Sequence, residues 1–138
     1  MRVSTVPKEA VKYVWSDVER LLKKSVEDTS RGKIDLIDIL NGILNDTYVL
    51  WVVLDNEDNM VAAITTRISV YPRRKSMVLD FVGGSKLSAW KDVVIETISK
   101  FAKENDCQHL EGFGRKAWIR ALRGNGFYPE YIAYRMEL

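Results

Sequence analysis

The amino-acid sequence predicts a single α/β (α+β) domain over residues 1–138, with a mixed sheet and helices on both faces. Its expected order is an antiparallel meander followed by a strand–helix–strand crossover. Three observations lead there. Tyr48-Val49-Leu50-Trp51-Val52-Val53-Leu54 is apolar on both faces, as a central strand is, and two further strand patterns follow it across turns. Apolar residues at helical spacing come before this group and again after it. A short strand pattern at residues 109–113 then follows a helix, which makes it a candidate for parallel pairing.

Taken in order, residues 3–6 suit a short first strand. Pro7 fits the first turn of a helix, and Glu9 is favourable near its positive end. Ala10, Val11, Val14, Val18, Leu21 and Leu22 then form the apolar stripe of an amphipathic helix of about five turns. The polar run Glu27-Asp28-Thr29-Ser30-Arg31-Gly32 is expected to end it. Asp35 is placed to cap a second helix with Leu36, Ile39, Leu40 and Ile43 on its apolar side. Asp55-Asn56-Glu57-Asp58-Asn59 reads as the turn into a return strand at residues 60–70, with Ile64, Thr66, Ile68 and Val70 on one face. After the turn Tyr71-Pro72-Arg73-Arg74-Lys75 comes a strand at residues 77–82, which Gly83-Gly84 breaks. Ser88 is expected to cap the next helix, whose buried stripe is Trp90, Val94, Ile98, Phe101 and Ala102. A short helix at 116–123, stopped by Gly124-Asn125-Gly126, and a last alternating strand at 131–138 complete the reading.

Composition excludes several classes of function. Hydrophobic residues make up 46% and charged residues 29%, so the chain is globular and not disordered. A net charge of +2 is too small to argue for nucleic acid as a partner. The single cysteine, Cys107, rules out an internal disulfide and a cysteine-rich zinc site. No apolar stretch follows the basic start as a signal peptide requires, and no run approaches the roughly 20 residues of a membrane span. The expectation is a soluble protein that stays where it is made, with no membrane partner.

Short motifs in sequence order carry a family resemblance. Trp51-Val52-Val53-Leu54, a turn, and Val61-Ala62-Ala63-Ile64 resemble the hairpin that opens the core of the GNAT superfamily of N-acetyltransferases. Gly124-Asn125-Gly126-Phe127 resembles that superfamily's Gly-Phe step into a closing strand. The resemblance covers the whole chain. It is nearest to small GNAT-like proteins of tailed phages and prophages, through Tyr71-Pro72-Arg73-Arg74, then Gly83, Gly84 and Trp90, then Gly114-Arg115-Lys116-Ala117-Trp118. It implies a host cytoplasmic or virion location and phage structural proteins as possible partners.

The resemblance also implies a site. GNAT enzymes bind acetyl-CoA where the fourth and fifth strands splay, and backbone N–H groups at a Q/R-x-x-G-x-G/A loop hold the pyrophosphate. Here that junction reads Gly83-Gly84-Ser85-Lys86-Leu87-Ser88-Ala89-Trp90. Its glycines come at the start, and Leu87, Ala89 and Trp90 stand where phosphate would approach. Gly83, Gly84, Ser85 and Lys86 remain the candidate cofactor-binding residues, with Gly83-Gly84 as a plain turn the competing reading. The general-acid tyrosine of many GNAT enzymes falls on Leu122, which has no proton to give. Asp80, inside an apolar strand, is the first candidate general base and Glu111 the second; a polar cleft or a salt bridge is the alternative for Asp80. His109, the only histidine, reads as structural, and Cys107 as a semi-buried thiol. Arg73-Arg74-Lys75 reads as a solvated turn tip. Trp90 and Trp118 are expected to flank the cleft and partly fill it.

Two classes of function follow. One is a catalytically degenerate GNAT-fold module acting through protein contacts, with no cofactor. The other is a CoA-dependent N-acetyltransferase with a divergent pyrophosphate loop. A small-ligand or nucleotide-binding derivative is a weaker third.

Overall fold

The computed structural model describes residues 1–138. Strand β1 (Arg2–Val6) leads through a 3-10 turn (Lys8–Ala10) into α1 (Val11–Ser30) and then α2 (Leu36–Leu44). The meander is β2 (Val49–Leu54), β3 (Met60–Val70) and β4 (Lys75–Gly84). It is followed by α3 (Leu87–Glu104), β5 (His109–Gly112), the short α4 (Ala117–Leu122) and a 3-10 turn at Arg123–Asn125. The five strands lie in chain order, β1 to β4 antiparallel and β5 parallel to β4. The expected mixed sheet, meander and crossover are all present.

Period-2 alternation divides the strands between two cores. Leu50, Val52, Ala63 and Phe81 face α1 and α2, where Val11, Val18, Leu22, Ile39 and Ile43 are buried. Trp51, Val53, Ala62, Ile64 and Met77 face α3, where Trp90, Val94, Ile98 and Ala102 are buried. Fully burying a side chain such as Leu22 or Ile98 contributes about 1.5–3 kcal/mol, so both stripes hold their helices firmly on the sheet. Trp51 is the one large side chain on its face with a polar tip, and its Nε1 donates to Thr66 Oγ1 at 2.9 Å.

Local chemistry explains the boundaries. Asp35 and Asp38 form a capping box at α2, in which the Asp35 N–H donates to the Asp38 carboxylate at 2.9 Å. Asp55 Oδ1 accepts the N–H groups of Glu57 and Asn59, both at 2.9 Å, and so closes the β2–β3 turn.

The polar run from Glu27 does end α1, which stops at Ser30 and closes on Arg31 in the left-handed conformation. Three expectations need correction. Gly83 and Gly84 do not break the strand: they are the last two residues of β4 and pair with Ala63 and Ala62 of β3. Ser88 does not cap α3. The cap is Lys86, left-handed at φ 60°, and Ser88 already lies inside the helix. Finally, residues 131–138 form no strand, and the sheet ends at β5. The alternating pattern is there, but no neighbouring strand meets it.

The close of β4 is the tightest contact in the fold. A Cβ on Gly83 would stand 2.0 Å from the carbonyl oxygen of Leu21 in α1, and one on Gly84 would stand 2.3 Å from that of Val61 in β3. Gly84 also has φ +148°, a conformation side chains rarely adopt. Gly83→Ala is therefore expected to lower stability by about 3 kcal/mol or more, since backbone cannot yield as a flexible side chain does. Gly124→Ala, with nothing within 4 Å, is expected to change it little. Urea unfolding of the two variants against wild type measures both.

Candidate functional site

The site begins with one extra residue. Thr65 pairs with Phe81 while Thr66 pairs with Leu79, so Asp80 is a bulge in β4. A bulge bends its strand and increases its twist. The β4–β5 ladder stops at Leu79–Gly112, immediately before it. Beyond that point the two strands part, and a cleft of about 690 Å³ opens between β4, α3, β5, α4 and the start of the C-terminal segment. That volume is in the range of small-molecule sites. Asp80, Glu111, Trp90, Trp118, Leu122 and Tyr131 all line it.

Both sequence-predicted carboxylates thus reach one cleft, in different surroundings. Asp80 is largely buried and faces Arg67 across the ladder, with Arg67 Nε 2.7 Å from Oδ2 and an Arg67 terminal nitrogen donating to Oδ1 at 3.2 Å. Burial raises its pKa, and the Arg67 guanidinium only partly offsets that. A salt bridge, the alternative to catalysis raised by the sequence, is therefore part of the structure. Glu111 has the opposite balance. Burial would raise its pKa, but hydrogen bonds from Ser76 and Tyr71 together with the nearby His109 outweigh burial and lower it. Tyr71 donates its hydroxyl to Glu111 Oε1 at 2.8 Å, Ser76 Oγ donates to the same oxygen, and His109 Nε2 stands 3.4 Å away.

Gly83, Gly84, Ser85 and Lys86 lie outside the lining of the cleft. The two glycines present their bare faces to the Leu21 and Val61 carbonyls. The Ser85 N–H donates to Val61 O at 3.0 Å, and the Ser85 carbonyl accepts the buried Trp90 Nε1 at 2.6 Å. Two residues, Ser85 and Lys86, connect β4 to α3. Trp90 and Trp118 stand in the walls of the cleft and leave its volume open, so they frame it more than they fill it. Leu122 reaches the lining, where it offers only hydrocarbon.

Sequence reading gave His109 a structural part and passed over Tyr71 and Ser76. The first had a signal, since His109 and Glu111 are two apart on β5 and share a face. The other two did not, because their approach depends on the β4–β5 register. Cys107 is partly buried as expected, and burial raises its thiol pKa. Arg73 and Arg74 are exposed at the turn, with Arg74 reaching the rim of the cleft. No cluster of His, Cys, Asp and Glu suited to a metal is present, and no helix is long and apolar enough to cross a membrane.

Comparison with known proteins agrees on the fold. No family model matches the sequence, and no curated protein matches it. Solved structures do match over its full length. A probable acetyltransferase superposes with a TM-score of 0.75 at 13% identity, covering 100% of this chain and 98% of the other. A ribosomal-protein-alanine N-acetyltransferase from Brucella melitensis biovar Abortus gives 0.73 at 8% identity, covering 100% of both chains. A GNAT family acetyltransferase from Staphylococcus aureus gives 0.68 at 12% identity, covering 99% of this chain and 98% of the other. The chain has the GNAT fold, and identities this low establish the fold alone.

The lowered pKa of Glu111 sets a pH dependence. A carboxylate that is more acidic folded than unfolded stabilises the fold above its ordinary value of 4.5, and that contribution is lost as pH falls through the folded value. The stability difference between wild type and Glu111→Gln is expected to be full at neutral pH and to shrink below about pH 4.5. Chemical unfolding across a pH series measures it.

Proposed function

We propose that this chain is a GNAT-fold protein that does not grip a CoA diphosphate and that acts by binding other proteins. The observation that carries this reading is the use of Gly83 and Gly84. In a phosphate loop, glycines clear space so that backbone N–H groups meet the anion. Here the cleared space holds the carbonyl oxygens of Leu21 and Val61, which repel an anion. The Ser85 amide is also taken, and Leu87 and Trp90 follow in the first turn of α3. The residues present do not fit the diphosphate of acetyl-CoA, and Leu122 supplies no acid for a departing thiolate.

An exposed C-terminal segment supports the protein-binding side of the proposal. Tyr128, Tyr131, Ile132 and Tyr134 are all exposed there, and exposed aromatic and aliphatic side chains in one stretch mark contact surfaces. The order of the Tyr71-Pro72-Arg73-Arg74, Gly83-Gly84 and Gly114-Arg115-Lys116 motifs supports a phage setting, with a virion structural protein as the partner.

A second reading has one specific observation in its favour: Asp80 and Glu111 line the same cleft. Paired carboxylates in unlike surroundings, here shifted in opposite directions, are a common arrangement for proton transfer. In that reading the chain transfers an acyl group to an amine, and Asp80, with its raised pKa, takes the amine proton. Glu111, held ionised by Tyr71 and Ser76, stabilises the cation.

Calorimetry with acetyl-CoA separates the two. The proposal expects no saturable heat up to millimolar ligand. Saturable micromolar binding would establish the acyltransferase reading instead.

A further inference from the structure

The chain carries an unpaired segment of strand-like sequence and a free sheet edge that match each other. β5 is the last strand, and only its β4 side is paired. Residues 128–138 are all exposed, and no backbone N–H or C=O among them makes a hydrogen bond within the chain. Their strand-like alternation puts Ile132, Tyr134, Met136 and Leu138 on one face and Tyr131, Ala133, Arg135 and Glu137 on the other. Tyr134 is 93% exposed and Met136 80%. So long an unpaired apolar segment is a template for pairing.

β5 has the complementary two faces. Leu110 packs with the α3 core, while His109 and Glu111 lie on the opposite face with Ser76. Laid antiparallel along the free edge with Arg135 opposite Glu111, the segment brings Met136 opposite Leu110 and Glu137 opposite His109. Tyr134 then covers Gly112, which has no side chain of its own. One register joins apolar to apolar and pairs both charged positions with groups of opposite or complementary charge.

Within its own chain the segment does not take this place. Arg135 instead donates to the carbonyl of Arg31 at 2.7 Å, at the end of α1, and pairs with Glu137. Gly124 and Gly126, with open space around both and Gly126 at φ +90°, give the segment a hinge.

We propose that residues 131–138 of one copy add to the β5 edge of a second copy, and that the exchange is reciprocal. Each copy then supplies one strand and accepts one, which makes a closed two-fold dimer in which both β5 edges are covered. The partner's segment also lies along the open side of the β4–β5 cleft. This inference is independent of whether the cleft binds acetyl-CoA.

Light scattering on the full chain at micromolar concentration is expected to give twice the 15.9 kDa protomer mass. Met136→Asp is expected to weaken the dimer about tenfold or more while circular dichroism stays unchanged. In a Cys107→Ser background, Glu111→Cys with Arg135→Cys is expected to give a disulfide-linked dimer on a non-reducing gel, which neither single cysteine gives alone. A monomer across the whole concentration range overturns the proposal. So does a bridge formed only within one chain, or a dimer that keeps its affinity in Met136→Asp.

Discussion

The approach of α1 to the end of β4 is the constraint on which the rest of this structure depends. The Leu21 carbonyl occupies the place where a side chain on residue 83 would stand, so only glycine lets helix and strand come that close. This contact seats α1 on the sheet, aligns Val18 and Leu22 with Phe81, and fixes where β4 must end. Val61 holds the next residues from the other side through its carbonyl, which accepts the Ser85 N–H. The chain then has two residues in which to reverse into α3, and the left-handed Lys86 makes that reversal. A loop so fully used by packing has little freedom to wrap an anion.

The bulge at Asp80 is the second determinant, and it acts at the opposite side of the same strand. By adding one residue it ends the β4–β5 ladder and opens the cleft. It also turns a carboxylate into a largely apolar interior, where Arg67 is its partner. A buried ion pair is weak evidence for stability, because desolvation consumes much of its attraction. Its clearer consequence is orientation, since the planar guanidinium fixes the carboxylate at the cleft wall. Glu111 is held differently, by neutral donors and a histidine, and its pKa is shifted down where that of Asp80 is shifted up. One fold thus places two carboxylates a strand apart with opposite shifts in pKa.

Much of the fold was legible in the sequence because burial dictates periodicity. The double-sided apolar run at residues 48–54, the stripes of α1 and α3 and the strand after α3 all declare themselves by spacing. Asp80 and Glu111 stood out as charges inside strand patterns. What stayed hidden depends on approach between distant segments. Nothing in Gly83-Gly84 distinguishes a turn from a helix crossing, and no local signal places Ser76 or Tyr71 beside Glu111. Ser88 resembled a cap because serine caps by local hydrogen bonding, but the tight exit from β4 set the boundary earlier. Residues 131–138 alternate as a strand does, yet alternation states only a readiness to pair. It does not name the neighbour.

The account turns on whether the amides following Val82 are committed to packing. Backbone amide spectra recorded during titration with acetyl-CoA report on each of them separately. The account predicts that the signals of residues 83–88 keep their positions up to millimolar coenzyme. Saturable shifts centred on Ser85, Lys86 and Leu87 would show a working diphosphate site and contradict it.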